Sequence, residues 1–295
     1  METILMVLLL ASLPFFLIPG LRNRVARTLA HKRVQRFSIL IIGTVCLASV
    51  VNAQDPTPAE ESPPAPQSAS APGGWEFTVT PYLFLARLNG TVGVVGQTSQ
   101  VNASFRDIFR NLEFAAMGTF EARKGNWGVL VDGMYISLEG QKVTPSPFFS
   151  DINVEVKETI ITPEVSYRVL KVERGSIDLT GGARIWRVKS HLTFQPRILP
   201  LVDVEDTKTW ADPIVGARGF ATLTPRTFFQ GEFDAGGFGI KSDFTGQVFG
   251  GVGFQWKPRI ALVGGYRYLR VDYKDDGFVY KTALSGPTVG VKIRL

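Results

Sequence analysis

The chain has 295 residues, 30 of them Gly, with 11% aromatic residues and a formal charge of +6. The excess is local: residues 1–53 carry Arg22, Arg24, Arg27, Lys32, Arg33 and Arg36 against the single acid Glu2, which leaves 26 basic and 25 acidic residues in the remainder. A near-neutral remainder has no electrostatic footprint for nucleic acid, so no nucleic-acid partner is expected.

Residues 1–53 read as a secretory signal region. A basic stretch from Arg27 to Arg36 precedes the apolar run FSILIIGTVCLASVV, and small residues lead to a cleavage point between Ala53 and Gln54. The earlier run Ile4–Ile18 contains Pro14 and is short for a membrane helix; it fits a start placed too far upstream. Cys46 is the sole cysteine and lies inside the signal, so the mature chain would form no disulfide. Residues 54–74 are rich in Pro, Ala, Ser and Glu without periodicity, and read as a disordered spacer.

Residues 75–295 have a different texture. Ten alternating runs are predicted as strands, at 75–88, 113–123, 127–139, 152–170, 176–195, 204–223, 227–241, 243–256, 259–274 and 278–295. Most exceed the usual globular strand and suit a tilted membrane crossing. Residues 90–104 can form an extra hairpin, so eight or twelve strands are alternatives, and FRDIFRNL (105–112) alone has a helical pattern. The connections alternate between short and long. Short ones at 124–126, 171–175, 224–226 and 257–258 fit periplasmic turns, and longer ones such as 89–112 fit extracellular loops. The Asp-Gly turn in KDDG marks the last hairpin.

Because side chains alternate along a strand, the faces can be sorted. One face is apolar and ends, on the short-turn side, in Trp75, Trp127, Tyr167 and Trp256, which reads as an aromatic girdle. The other carries the acids Glu76, Glu121, Asp132, Glu164, Asp178, Asp212, Glu232 and Asp234. It also carries the bases Arg123, Arg168, Arg184, Arg218, Arg267, Lys292 and Arg294. A soluble lipocalin-like binding barrel in the periplasm would turn the apolar face inward. Girdle, strand length and secretion signal favour the membrane, so the fold class is all-β: a closed antiparallel transmembrane β-barrel of about ten strands.

PYLFLARLNGTVGV, FRDIFRNLEFAAMGTFEARKGNWGVLVDGMYISL and GYRYLRVDY together resemble uncharacterised bacterial outer-membrane β-barrel proteins, of small porin-like, OmpA-type or OmpW-type form. The resemblance implies an outer-membrane location and lipid, lipopolysaccharide and the barrel assembly machinery as partners. The terminal GPTVGVKIRL is similar to the last-strand signal of that family, with Leu295 where an aromatic residue is usual.

Balanced charge in a narrow lumen predicts salt-bridging, because unpaired buried charge is costly. The function expected is thus structural, or a narrow porin-like conduit for small solutes. Glu76 is expected to meet Lys292 or Arg294 across the closing seam. His191 is the one histidine beyond residue 53, which rules out multi-His metal sites. With Thr193 and either Glu155 or Glu205 it forms a minimal hydroxyl-activating set for a lipid-modifying enzyme. An interfacial His is the plainer reading, and no catalytic residue, metal or cofactor is expected.

Overall fold

In the computed structural model, residues 74–94, 97–143, 149–196 and 202–295 are described. The signal region and all but the last residue of the spacer lie outside them, as does most of the loop around Phe148. The strands are β1 (Glu76–Phe84), β2 (Arg87–Val94), β3 (Gln97–Ala103), β4 (Leu112–Lys124), β5 (Trp127–Val143) and β6 (Phe149–Val172). They continue with β7 (Gly175–Pro196), β8 (Val202–Thr222), β9 (Thr227–Gly236), β10 (Ser242–Lys257), β11 (Ile260–Asp275) and β12 (Phe278–Arg294). The helix α1 (Phe105–Arg110) joins β3 to β4.

β1 and β4–β12 form a ten-stranded antiparallel barrel, with β2 and β3 as two further strands outside the closed ring. Closure runs from Thr78 opposite Arg294 to Phe84 opposite Thr288. The anticipated hairpin at 90–104 is thus present as β2–β3, and the helical pattern at 105–112 gives α1. Ser104 caps α1: its hydroxyl accepts from the Asp107 backbone N–H, and the Asp107 carboxylate accepts from Ser104 N–H at 3.0 Å.

Two sequence readings need correction. Residues 75–88 are not one strand. The ladder between β1 and β4 ends where Pro81 faces Gly118, because proline has no N–H to extend it. The chain then follows β12 alone, bends at Leu85–Ala86 and continues as β2. Leu85 N–H donates to the Pro287 carbonyl at 2.9 Å across this bend. A Cβ at Gly286 would lie 2.2 Å from the Leu85 carbonyl oxygen, so the close approach needs glycine. Nor does the run at 227–241 reach Lys241. Gly237, Phe238 and Gly239 all take positive φ (84°, 49° and 74°), and this turn ends β9 at Gly236. At the last hairpin Asp276 and Gly277 both have positive φ (43° and 80°), as a two-residue type I′ turn requires.

The bend leaves an open edge. Among the described residues β3 pairs only with β2, and above Gly118 β4 pairs only with β5. In the upper half the wall is therefore interrupted between β3 and β4, and α1 packs there against β2 and β3.

Large apolar side chains cover the outside: Val129, Val165, Leu179, Val215, Phe233 and Val248 are all exposed. Such a surface is stable in hydrocarbon and unstable in water. Trp75, Trp127, Tyr167 and Trp256 are also exposed near the short turns, with the Trp127 and Tyr167 rings 4.8 Å apart. Along β5 the belt runs from Trp127 to Tyr135, which is about 26 Å of strand or roughly 20 Å of depth at a tilt near 40°. No helix among the described residues is long and apolar enough to cross a membrane; the crossing is made by strands.

Candidate functional site

The inside of the barrel has two storeys of opposite chemistry. The lower one, toward the short turns, holds most of the predicted charges. Arg123 and Arg168 both bind Asp178, the latter at 2.8 Å, and Arg123 also reaches Glu121 at 3.0 Å. Arg218 bridges Glu121 (3.6 Å) and Glu232 (3.4 Å). Arg184 grips Asp234 with both terminal nitrogens, at 2.9 and 2.7 Å, and is 1% exposed. Arg267 meets Asp132 at 3.3 Å and donates to the Tyr82 hydroxyl at 2.8 Å; Tyr82 in turn donates to Asp132 at 3.0 Å. The Arg267 guanidinium also lies 4.7 Å from the Tyr82 ring centre.

Three of the predicted charges are held differently. Asp212, fully buried, accepts from the backbone N–H (2.8 Å) and hydroxyl (2.6 Å) of Ser242, which caps it without a cation. Lys292 lies 5.9 Å from the Phe228 ring centre. Glu76 is exposed, and the register sets Thr78, not Glu76, opposite Arg294. Among the described residues no ion pair joins Glu76 to Lys292 or Arg294, although Glu76 and both bases line one polar cavity of about 250 Å³ at the short-turn mouth.

Glu164 is buried with one carboxylate oxygen unpartnered. Glu164, Glu232 and Asp234 each place an oxygen within 4.8 Å of the others, so these are the residues able to surround a cation. The protein already supplies that charge: Arg184 neutralises Asp234, and Arg218 and Gln247 engage Glu232. The arrangement works as ion-paired packing across the lumen.

The upper storey is apolar, which face sorting by charge alone missed. Trp186 and Trp210 stack at 5.8 Å, and Trp210 stacks on Tyr273 at 4.1 Å. Phe278 and Tyr280 edge this stack, and Leu269, Val271, Met134 and Ile160 fill the space beside it. The expectation of a charged, salt-bridged interior therefore holds for the lower storey, whereas the upper one is mostly apolar with Glu158 as an isolated carboxylate in it. A signal was present on the same strand faces. Moving away from the short turns, Arg184 gives way to Trp186 and Val188, Asp132 to Met134 and Ile136, and Arg267 to Leu269 and Val271.

Beside the aromatic stack lies a cavity of about 220 Å³. Its lining joins inward side chains (Phe84, Met117, Ile136) to Leu83, which is 59% exposed on the outer surface. The cavity therefore passes through the interrupted wall between β3 and β4. Phe105, Ile108 and Phe109 of α1 cover this opening. Among the described residues, Glu158, Ser190 and Tyr280 are the lining residues with a polar N–H, O–H or carboxylate side chain, and Tyr280 donates to Glu158 at 2.8 Å. Among the described residues none of the lining is shared with the polar cavity at the short-turn mouth or with the small one beside Tyr82, Asp132 and Arg267.

His191 sits outside the lumen, on β7 between Glu155 of β6 and Glu205 of β8 in register. Its Nδ1 lies 3.5 Å from Glu155, which also pairs with Lys157. The hydrogen bond from Lys157 holds the Glu155 carboxyl below its ordinary range. A carboxylate committed to a lysine is a poor orienter for a base.

These features define a class: a membrane-spanning ten-stranded β-barrel of the outer-membrane type, with an ion-paired lower lumen and an apolar upper cavity. No family model and no curated protein matches the chain. Among solved structures, the outer membrane protease OmpT from Escherichia coli superposes at a TM-score of 0.49 with 11% identity, covering 75% of this chain and 97% of its own. Neisserial surface protein A gives 0.32 at 12% identity, covering 75% and 99%. The attachment invasion locus protein Ail of Yersinia pestis gives 0.32 at 14%, covering 76% and 99%. At such values no activity carries across, and the class rests on the chain's own closure and belt.

Proposed function

We propose that this is an integral outer-membrane protein that takes a small hydrophobic molecule sideways from the membrane into its upper cavity, with a lower lumen that does not conduct ions. One observation carries the reading: an apolar cavity of about 220 Å³ that reaches the lipid-facing surface at Leu83. An apolar cavity of about 150 Å³ stays dry and accepts benzene, so this one suits a substituted ring or a chain of about eight carbons. The secretion signal read in residues 1–53 and the outward apolar belt support the outer membrane as its location, with lipid and lipopolysaccharide around the belt.

The porin-like alternative needs a water path. Arg267, Asp132 and Tyr82 cross the lumen, and the Trp186–Trp210–Tyr273 stack lies above them. Equilibrium dialysis of radiolabelled octane against the detergent-solubilised, folded protein tests the uptake. About one octane per chain in excess of that bound by the cavity-filling variant Ala115→Trp supports the reading. Equal retention by both proteins refutes it.

A further inference from the structure

We infer that the cavity selects an amphiphile with a hydrogen-bond-donating end, a primary alcohol or amine on about eight carbons, and that Glu158 receives that end. The inference rests on the cavity binding a hydrophobe at all, and goes on to name which kind.

The argument begins with an oddity of composition. Apart from Ser190 and the Tyr280 hydroxyl the described lining is apolar, yet it holds one carboxylate. Among the described residues no Lys or Arg lines the cavity, and no ion pair of the kind that satisfies Asp132, Asp178 and Asp234 below is seen at Glu158. Its register neighbours are Ile136 and Val188, both apolar. A carboxyl in such surroundings is costly unless hydrogen-bonded. Tyr280 supplies one bond, at 2.8 Å to Oε1. A carboxylate accepts several, so Tyr280 leaves acceptor capacity on a half-buried side chain that lines the cavity.

A donor on the ligand would use that capacity. An alcohol or ammonium gains a bond to Glu158 while its chain fills the space between Met117 and Leu284. An alkane gains only the apolar part. A carboxylate of the same length brings no donor to Glu158 and loses its hydration on entry. The same polar end explains orientation: the chain would trail toward Leu83 and the opening, with the head held deep against Tyr280.

Octylamine, octanol, octane and octanoate, each radiolabelled and dialysed at pH 7.5 against the folded, detergent-solubilised protein, separate the cases. Ala115→Trp supplies the background for micelle partitioning. The expected order is amine and alcohol tightest, about tenfold or more tighter than octane, with octanoate weakest. Glu158→Gln keeps the shape and an acceptor for Tyr280, and is expected to remove most of the amine's advantage over octane. Octane binding as tightly as octanol and octylamine would overturn the assignment of Glu158 while leaving hydrophobe uptake intact. Octanoate binding tightest would do the same. If none of the four exceeds the Ala115→Trp background, uptake itself fails. Should Glu158→Gln not fold, the ranking on the unaltered protein decides.

Discussion

Arg267 shows how single side chains hold the lower lumen together. It is buried, and its charge is shared between Asp132 and the Tyr82 hydroxyl. Removing the acid while leaving the base strands a charge in the barrel, which costs about 3–5 kcal/mol. Asp132→Ala is therefore expected to lower the unfolding free energy of the folded barrel in lipid vesicles by that much, read as a lower urea midpoint at unchanged slope. Asp132→Ala combined with Arg267→Met should recover most of the loss, because an apolar pair of similar volume needs no counter-charge. A double variant as weak as the single one would show that Arg267 contributes through packing and not through the pair. Gly286 sets a second constraint at this scale. Its missing side chain lets Leu85 approach at the bend, and Gly286→Ala is expected to destabilise the barrel, since the obstructing atom is backbone and cannot rotate away.

At the scale of elements, the bend between β1 and β2 decides the character of the upper barrel. Proline at 81 ends pairing with β4, the chain swings along β12, and a gap opens that α1 fills. The helix is short and depends on its cap. Ser104→Ala removes the hydroxyl that accepts from Asp107 N–H, and an N-cap of this kind contributes about 1 kcal/mol. The expected outcome is faster dissociation of bound octanol with little change in the global urea midpoint, because α1 has no buried residue. An unaltered dissociation rate would remove α1 as the cover of the opening. The hairpin at Asp276–Gly277 makes the opposite prediction. Gly277→Val forces a β-branched residue into positive φ, costing about 1–3 kcal/mol, and should lower the midpoint without touching ligand release.

For the whole molecule, stacked storeys of ion pairs and aromatic rings predict an electrically silent barrel. In planar bilayers the folded protein is expected to show no steady conductance steps, and resolved steps would restore the porin-like reading. The membrane assignment has its own check. The envelope-extracted protein should migrate differently on gels before and after heating, and should fractionate with outer membranes. A soluble periplasmic protein without that shift would overturn the membrane assignment.

Much of this was legible in the chain because a strand has a period of two. Alternation alone separates Trp75, Phe77 and Val79 from Glu76 and Thr78, and Val289 and Val291 from Thr288 and Lys292. Asp276–Gly277 announces its turn because few other residues accept two successive positive φ values. Class and approximate strand number thus follow from local rules, whereas the sequence reading omits Glu158, which shares a face of β6 with Glu164. Three things needed the fold. Which charge meets which depends on chords across the lumen, as for Arg184 and Asp234 or Arg267 and Asp132, residues far apart in sequence. The split of the interior into charged and apolar storeys depends on the shear that levels Trp186, Trp210 and Tyr273 with one another. The opening beside Leu83 exists because Pro81 lets one strand change partners, and partner choice is a property of the closed sheet, not of either strand alone.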